Sequence, residues 1–185
     1  LPVSKSSDQK FPPGQWVKVF TKFEDLPPEM RKPDSGVKFE DGWIDQSQAK
    51  HRSFFIADAA FRNVGVRARI HRGPIGVGGF QVRTSAETYY RAMLGERYDK
   101  AKECTLELKA SSNPEQAHVL LSRKTIELNA AGEGMLEVCA IGSRLAFRFD
   151  GELLGAVSDN TLMSGLLSYY GHYPVRDIEV INLDG

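Results

Sequence analysis

Between Asn63 and Ile70 the chain alternates. Val64, Val66, Ala68 and Ile70 are apolar, while Arg67 and Arg69 between them are charged. A period of two with one apolar side is what a strand needs when one face is buried and the other meets water. Phe80-Gln81-Val82-Arg83-Thr84 repeats the pattern, with Phe80 and Val82 expected inward. Strand-like runs also occur at 16–20, 37–40 and 43–45, and then at short spacing over 88–94, 104–110, 117–121, 124–128, 135–141, 144–149, 152–157, 165–170 and 175–183. Turn chemistry separates them, notably Asp41-Gly42, Ser112-Asn113-Pro114, Gly142-Ser143 and Asp150-Gly151. Helical candidates are confined to 24–30, 45–51 and 96–102. Many short strands with so little helix predict an all-β fold over residues 16–185, a sandwich or a barrel. Residues 1–15, polar and ending at Pro12-Pro13-Gly14, read as a linker.

A chain of 185 residues, 41% of them hydrophobic, can fill the interior of one such sandwich. Lys+Arg and Asp+Glu are both 24, giving zero net charge. That balance lacks the basic field of non-specific nucleic-acid binding, so no nucleic-acid partner is expected. No apolar run nears the roughly 18 residues of a membrane helix, so no membrane insertion is expected. The start, Leu1-Pro2-Val3, lacks Met, and the chain is expected to belong to a larger polypeptide. Parity puts Cys104 with the inward Leu106 and Leu108, and Cys139 opposite to Val138 and Ala140, which argues against a bridge between them. Trp43 is expected in the core, and Trp16 is a second candidate.

The C-terminal half carries a family resemblance. Residues 135–154 read as a strand, a small turn at Gly142-Ser143, a second strand ending in Asp150-Gly151, and a third strand. Val157-Ser158-Asp159-Asn160-Thr161 then leads through Gly165 into another strand, and Val175-Arg176-Asp177-Ile178-Glu179-Val180-Ile181 closes the sandwich against the N-terminal strand. This order resembles the concanavalin A-like lectin/glucanase group, including laminin G-like modules and the bacterial 3-keto-disaccharide hydrolase-like domain. The resemblance implies a jelly roll and an extracytoplasmic setting with a saccharide or cell-surface glycan as partner. It also implies attachment to a larger bacterial protein, such as a receptor-type serine/threonine kinase. Laminin G-like modules often hold calcium, which makes Asp58, Asp150, Asp159 and Asp177 candidate ligands. No spaced loop motif supports that, and no resident cofactor is expected.

The glucanases of this group carry Glu-x-Asp-x-x-Glu on one strand, and that string is absent. No catalytic residue is therefore assigned. Glu107 and Glu137, outward on different strands, could face each other across a sheet or be solvated separately. Arg67, Arg69, Gln81, Arg83, Tyr89 and Arg91 share one parity on strands that look adjacent. Such a polar stripe suits hydroxyl recognition, with Tyr able to stack on a sugar, although an ordinary exposed sheet face fits the pattern too. Tyr170 and His172, in Tyr169-Tyr170-Gly171-His172-Tyr173, are expected at the sandwich rim. The four histidines lack ligand spacing, so no metal site is assigned. The readings that remain are a non-catalytic carbohydrate-binding module, an atypical glycoside hydrolase-like enzyme, and a structural or protein-interaction domain.

Overall fold

A computed structural model describes residues 11–73, 76–85, 88–96, 102–109 and 119–185. In chain order the strands are β1 (Trp16–Lys18), β2 (Lys38–Glu40), β3 (Trp43–Asp45), β4 (Ser53–Phe55), β5 (Val64–His71), β6 (Gly78–Ser85) and β7 (Thr88–Glu96). They continue as β8 (Lys102–Lys109), β9 (Val119–Thr125), β10 (Glu133–Ile141), β11 (Arg144–Phe149), β12 (Glu152–Ser158), β13 (Leu166–Gly171) and β14 (Val175–Asn182). The expected strands at 117–121 and 124–128 are one strand, β9, where described.

Among the described residues the helical content is a single 3-10 turn, Phe23–Asp25. The helix expected over 24–30 stops at Leu26, whose ψ of 150° is the extended backbone forced by the following Pro27. The one expected over 45–51 is taken up by β3 and a turn closed by Ala49 N–H donating to Gln46 O. The third, 96–102, lies partly outside the described residues.

Two antiparallel sheets pack face to face. The eight-stranded sheet runs β12-β11-β10-β5-β14-β3-β2, with β1 also on β14, and the six-stranded sheet runs β4-β13-β6-β7-β8-β9. β1 pairs with β14 through Val17 and Val180, as the sequence order suggests. Two tight turns take backbone angles that Gly and Asp tolerate: φ is 50° and 78° at Asp41-Gly42, and 48° and 83° at Asp150-Gly151. Positive φ at both central residues matches the twist of a hairpin.

The inward parity of β5 holds. Val64, Val66, Ala68 and Ile70 are buried, and the interior is completed by residues such as Leu136 and Phe147 from the same sheet and Phe80, Leu106 and Tyr169 from the other. Burying each large side chain contributes about 1.5–3 kcal/mol. Cys104 lies in this core and Cys139 is half-buried outside it, both as free thiols. Burial pushes them up to about 12 and about 11, so neither is a nucleophile at neutral pH.

The tryptophans are not core residues. On β3 it is Ile44 that points inward, so Trp43 is turned out, with the Arg176 guanidinium 4.6 Å from its ring. Trp16 lies under Arg67 at 4.1 Å. An indole half-covered by a guanidinium stays off the core without leaving its whole face to water.

Candidate functional site

The sandwich has two outer faces, and the residues singled out from sequence divide between them. β5 and β6 follow each other in the chain but belong to opposite sheets. Parity within each strand is therefore right, while the expected single stripe is wrong. Arg67 and Arg69 lie outside the eight-stranded sheet, and Gln81, Tyr89 and Arg91 outside the six-stranded one. The same division separates Glu107 from Glu137, which do not face each other across a sheet.

Arg83 joins neither face. The pairing of β6 with β7 slips between Val82 and Ser85, and Arg83 takes a φ of 54°. That bulge turns the side chain inward, where it is 1% exposed. Its guanidinium donates to Leu162 O at 3.0 Å, Arg62 O at 2.8 Å and Gly142 O at 2.6 Å. Burial lowers its pKa, but an arginine has ample margin to stay charged. Arg83 is a structural clamp across three loops.

The outer face of the six-stranded sheet is built from two cross-strand rows. The first runs Phe55, Ser168, Gln81, Arg91, Glu107, Leu120. The second runs Ser53, Tyr170, Gly79, Met93, Thr105, Arg123. Ser168 Oγ donates to Gln81 Oε1 at 2.9 Å, which orients the amide and leaves Nε2 as its donor end. Arg91 donates to Glu107 at 2.9 Å. The Arg91 guanidinium also lies 5.5 Å from the Tyr89 ring and 5.2 Å from the Tyr170 ring. Burial raises the Tyr89 hydroxyl above its ordinary value, against the lowering effect of Arg91, so it remains a neutral donor. Glu103 pairs with Arg123 at 3.4 Å.

Several outward residues of this face are covered by their neighbours, while Leu120 and Arg123 at its β9 edge are exposed. Gln81 is 7% exposed, Ser168 3% and Thr105 9%, although all three point away from the core. A strand face open to solvent would leave such residues far more accessible. At Gly79 the floor is bare backbone, because a Cβ there would run into the backbone of Ala92 and Met93 on β7. His172 lies just beyond β13 with its ring against Gly76, and burial together with nearby Arg52 lowers its pKa, favouring the neutral imidazole.

The outer face of the eight-stranded sheet carries a lattice of ion pairs. Arg67 pairs with Glu179 at 2.7 Å, Arg148 with Glu137 at 3.5 Å, Arg69 with Glu133 at 3.8 Å and Lys18 with Asp177 at 2.5 Å. At its edge an open cavity of about 310 Å³ is lined by Lys38, Glu40, Asp41, Trp43, Asp45, His71 and Pro174. Its aromatic wall, Trp43, lies beside the Arg176 guanidinium, as Tyr89 and Tyr170 lie beside that of Arg91.

The candidate calcium aspartates do not converge. Asp150 accepts from Met135 N–H, Asp159 from Tyr90 and from Thr161 N–H, and Asp177 pairs with Lys18 and Arg176. Among the described residues no group of three or more His, Cys, Asp or Glu is placed to hold a metal ion.

Gly79, Ser168 and Thr105 were not singled out from the sequence. Ser168 and Thr105 sit at outward positions of strands that the alternation had located, so parity alone could have found them. Gly79 escaped notice because the alternation read from the sequence begins at Phe80, although Gly78-Gly79 opens β6.

Comparison with known proteins places the architecture. No family matches the chain, and no curated protein does. Solved structures do. A carbohydrate-binding module from Bacillus subtilis, CBM66, superposes with a TM-score of 0.56 at 15% identity, covering 93% of this chain and 95% of that one. The alginate lyase Aly36B gives 0.60 at 8% identity, covering 91% and 97%. The CBM2 module of the evolved Dit protein of Lactobacillus casei BL23 phage J-1 gives 0.55 at 12% identity, covering 80% of each. At these identities the likeness shows a shared β-sandwich fold.

Proposed function

We propose that this chain is a non-catalytic carbohydrate-binding module, with the saccharide lying along the outer face of the six-stranded sheet. The observation that carries the reading is the Tyr89–Arg91–Tyr170 arrangement beside the oriented Gln81 amide. Aromatic rings provide stacking surface for a pyranose or furanose, and fixed guanidinium, amide and carboxylate groups meet its hydroxyls. The fold likeness to two carbohydrate-binding modules supports it. Glu107 and Glu137 on opposite sides of the sandwich leave the expected carboxylate pair without a shared substrate. Residues 16–185 form the binding domain, residues 1–15 lead into it, and the module belongs to a larger extracytoplasmic polypeptide.

A glycan array read with wild type, Tyr170→Ala and Arg67→Ala tests this. Tyr170→Ala should weaken binding by roughly tenfold or more, as expected for loss of a stacking ring. Arg67→Ala, on the other face, should leave binding unchanged. Wild type that binds no saccharide, or equal losses in both variants, would sink the assignment.

A further inference from the structure

Resting on that reading, we infer that this outer face selects uncharged saccharides and rejects uronates. The inference follows from how its charges are arranged. The Arg91 side chain is 12% exposed and that of Glu107 19%, and the two are joined at 2.9 Å. Glu103, 10% exposed, is likewise joined to Arg123. Each described guanidinium on the floor therefore has a carboxylate of this chain beside it. A sugar carboxylate approaching Arg91 must displace Glu107 or share the cation with it. Around a guanidinium as little exposed as that of Arg91, two carboxylates repel more strongly than they would in open solvent.

A neutral sugar meets no such conflict. A guanidinium–carboxylate pair presents N–H donors and carboxylate acceptors side by side, which matches the donor-and-acceptor character of neighbouring hydroxyls. Tyr89 and Tyr170, on either side of Arg91, add stacking surface that carries no charge requirement. Gln81 extends the same neutral chemistry along the row through an amide already oriented by Ser168.

The discriminating experiment measures wild type and Glu107→Gln by titration calorimetry against two panels. One panel holds uncharged β-glucan, xylan, mannan and fructan oligosaccharides; the other holds oligoalginate and oligogalacturonate. Wild type should bind a member of the first panel at least roughly tenfold tighter than any member of the second. Glu107→Gln should narrow that gap by roughly tenfold, chiefly by gaining uronate affinity. Wild-type binding to the neutral ligand should change by less than about twofold between low and high salt, which keeps the idea testable even where the variant folds poorly. Wild type that prefers uronates in a salt-sensitive way would overturn the inference and leave the carbohydrate-binding assignment standing. Binding to neither panel would overturn both.

Discussion

The two outer faces of this sandwich use the same chemistry to different ends. Each carries an arginine paired with a glutamate and lying close to an aromatic ring: Arg91–Glu107 beside Tyr89 and Tyr170, and Arg67–Glu179 over Trp16. What separates them is depth. The first pair keeps 12% and 19% of its side chains exposed, the second 32% and 26%. A solvated pair is screened, and its side chains can reorient at little cost. A less exposed pair holds its donors and acceptors in place in a poorer dielectric, which is what the proposed saccharide site needs. Residue type alone does not separate the two faces, and the contrast lies in the arginines, since Glu133 on the eight-stranded sheet is as little exposed, at 18%, as Glu107 at 19%.

Matched substitutions can break or sharpen this contrast. Gly79→Ala and Gly65→Ala insert the same methyl group into the two sheets. At Gly79 it meets the backbone of Ala92 and Met93, whereas at Gly65 it meets side chains alone, Ile181 at 2.7 Å, Cys139 at 3.2 Å and Trp16 at 3.3 Å, which can shift more readily than backbone. Gly79→Ala should cost about 2–3 kcal/mol in urea unfolding and Gly65→Ala about 1. Equal costs would mean that the floor is no more tightly built than the open face.

The arginines come next. Arg91→Met should cost about 1–2 kcal/mol, since it removes a guanidinium paired at 2.9 Å with the little-exposed Glu107, and Arg67→Met at most about 0.5. Only the smaller effect should vanish at high salt. A salt-sensitive Arg91 would contradict that contrast.

Tyr90→Phe serves as a control, because Tyr90 lies on β7 beside Arg91 but points inward. Its hydroxyl donates to Asp159 and accepts from Leu162 N–H at 3.2 Å. Burial, then the hydrogen bond to Asp159, raise the Tyr90 hydroxyl to about 12. Desolvation acts to raise the Asp159 carboxyl, but the bonds from Tyr90 and Thr161 outweigh it and hold it below its ordinary value. A depressed carboxylate stabilises the fold above its unfolded pKa, about 3.9, and that part is lost as pH falls through the folded value. Tyr90→Phe should therefore cost about 1 kcal/mol near neutrality, a difference that shrinks below about pH 4, while saccharide affinity stays within about twofold. A pH-independent difference would show that Asp159 is not the partner that matters.

The alternation of β5, the inward set of β6, and the turns at Asp41-Gly42 and Asp150-Gly151 were all readable in the sequence, because parity and turn residues are local properties. Which sheet a strand joins is not local. Arg67 and Gln81 therefore looked like neighbours although the chain crosses between sheets after His71. Arg83 was misread for another reason. An alternating pattern presumes unbroken pairing, and nothing in Val82-Arg83-Thr84 signals that a non-glycine residue will take positive φ. Of the candidate floor, Gln81, Tyr89, Arg91 and Glu107 were legible as outward polar residues, whereas Tyr170, expected at the rim, lies within β13 between β4 and β6. Their depth was not, since it depends on the assembled whole.

The Arg83 clamp has a consequence for time rather than for energy. Its three acceptors, on Arg62, Gly142 and Leu162, lie far apart in the chain and are expected to come together late in folding. A contact that appears so late contributes little at the folding barrier, so it leaves the rate of folding nearly untouched and slows the rate of opening. One buried guanidinium thus acts as a latch, setting how long the sandwich stays shut once closed.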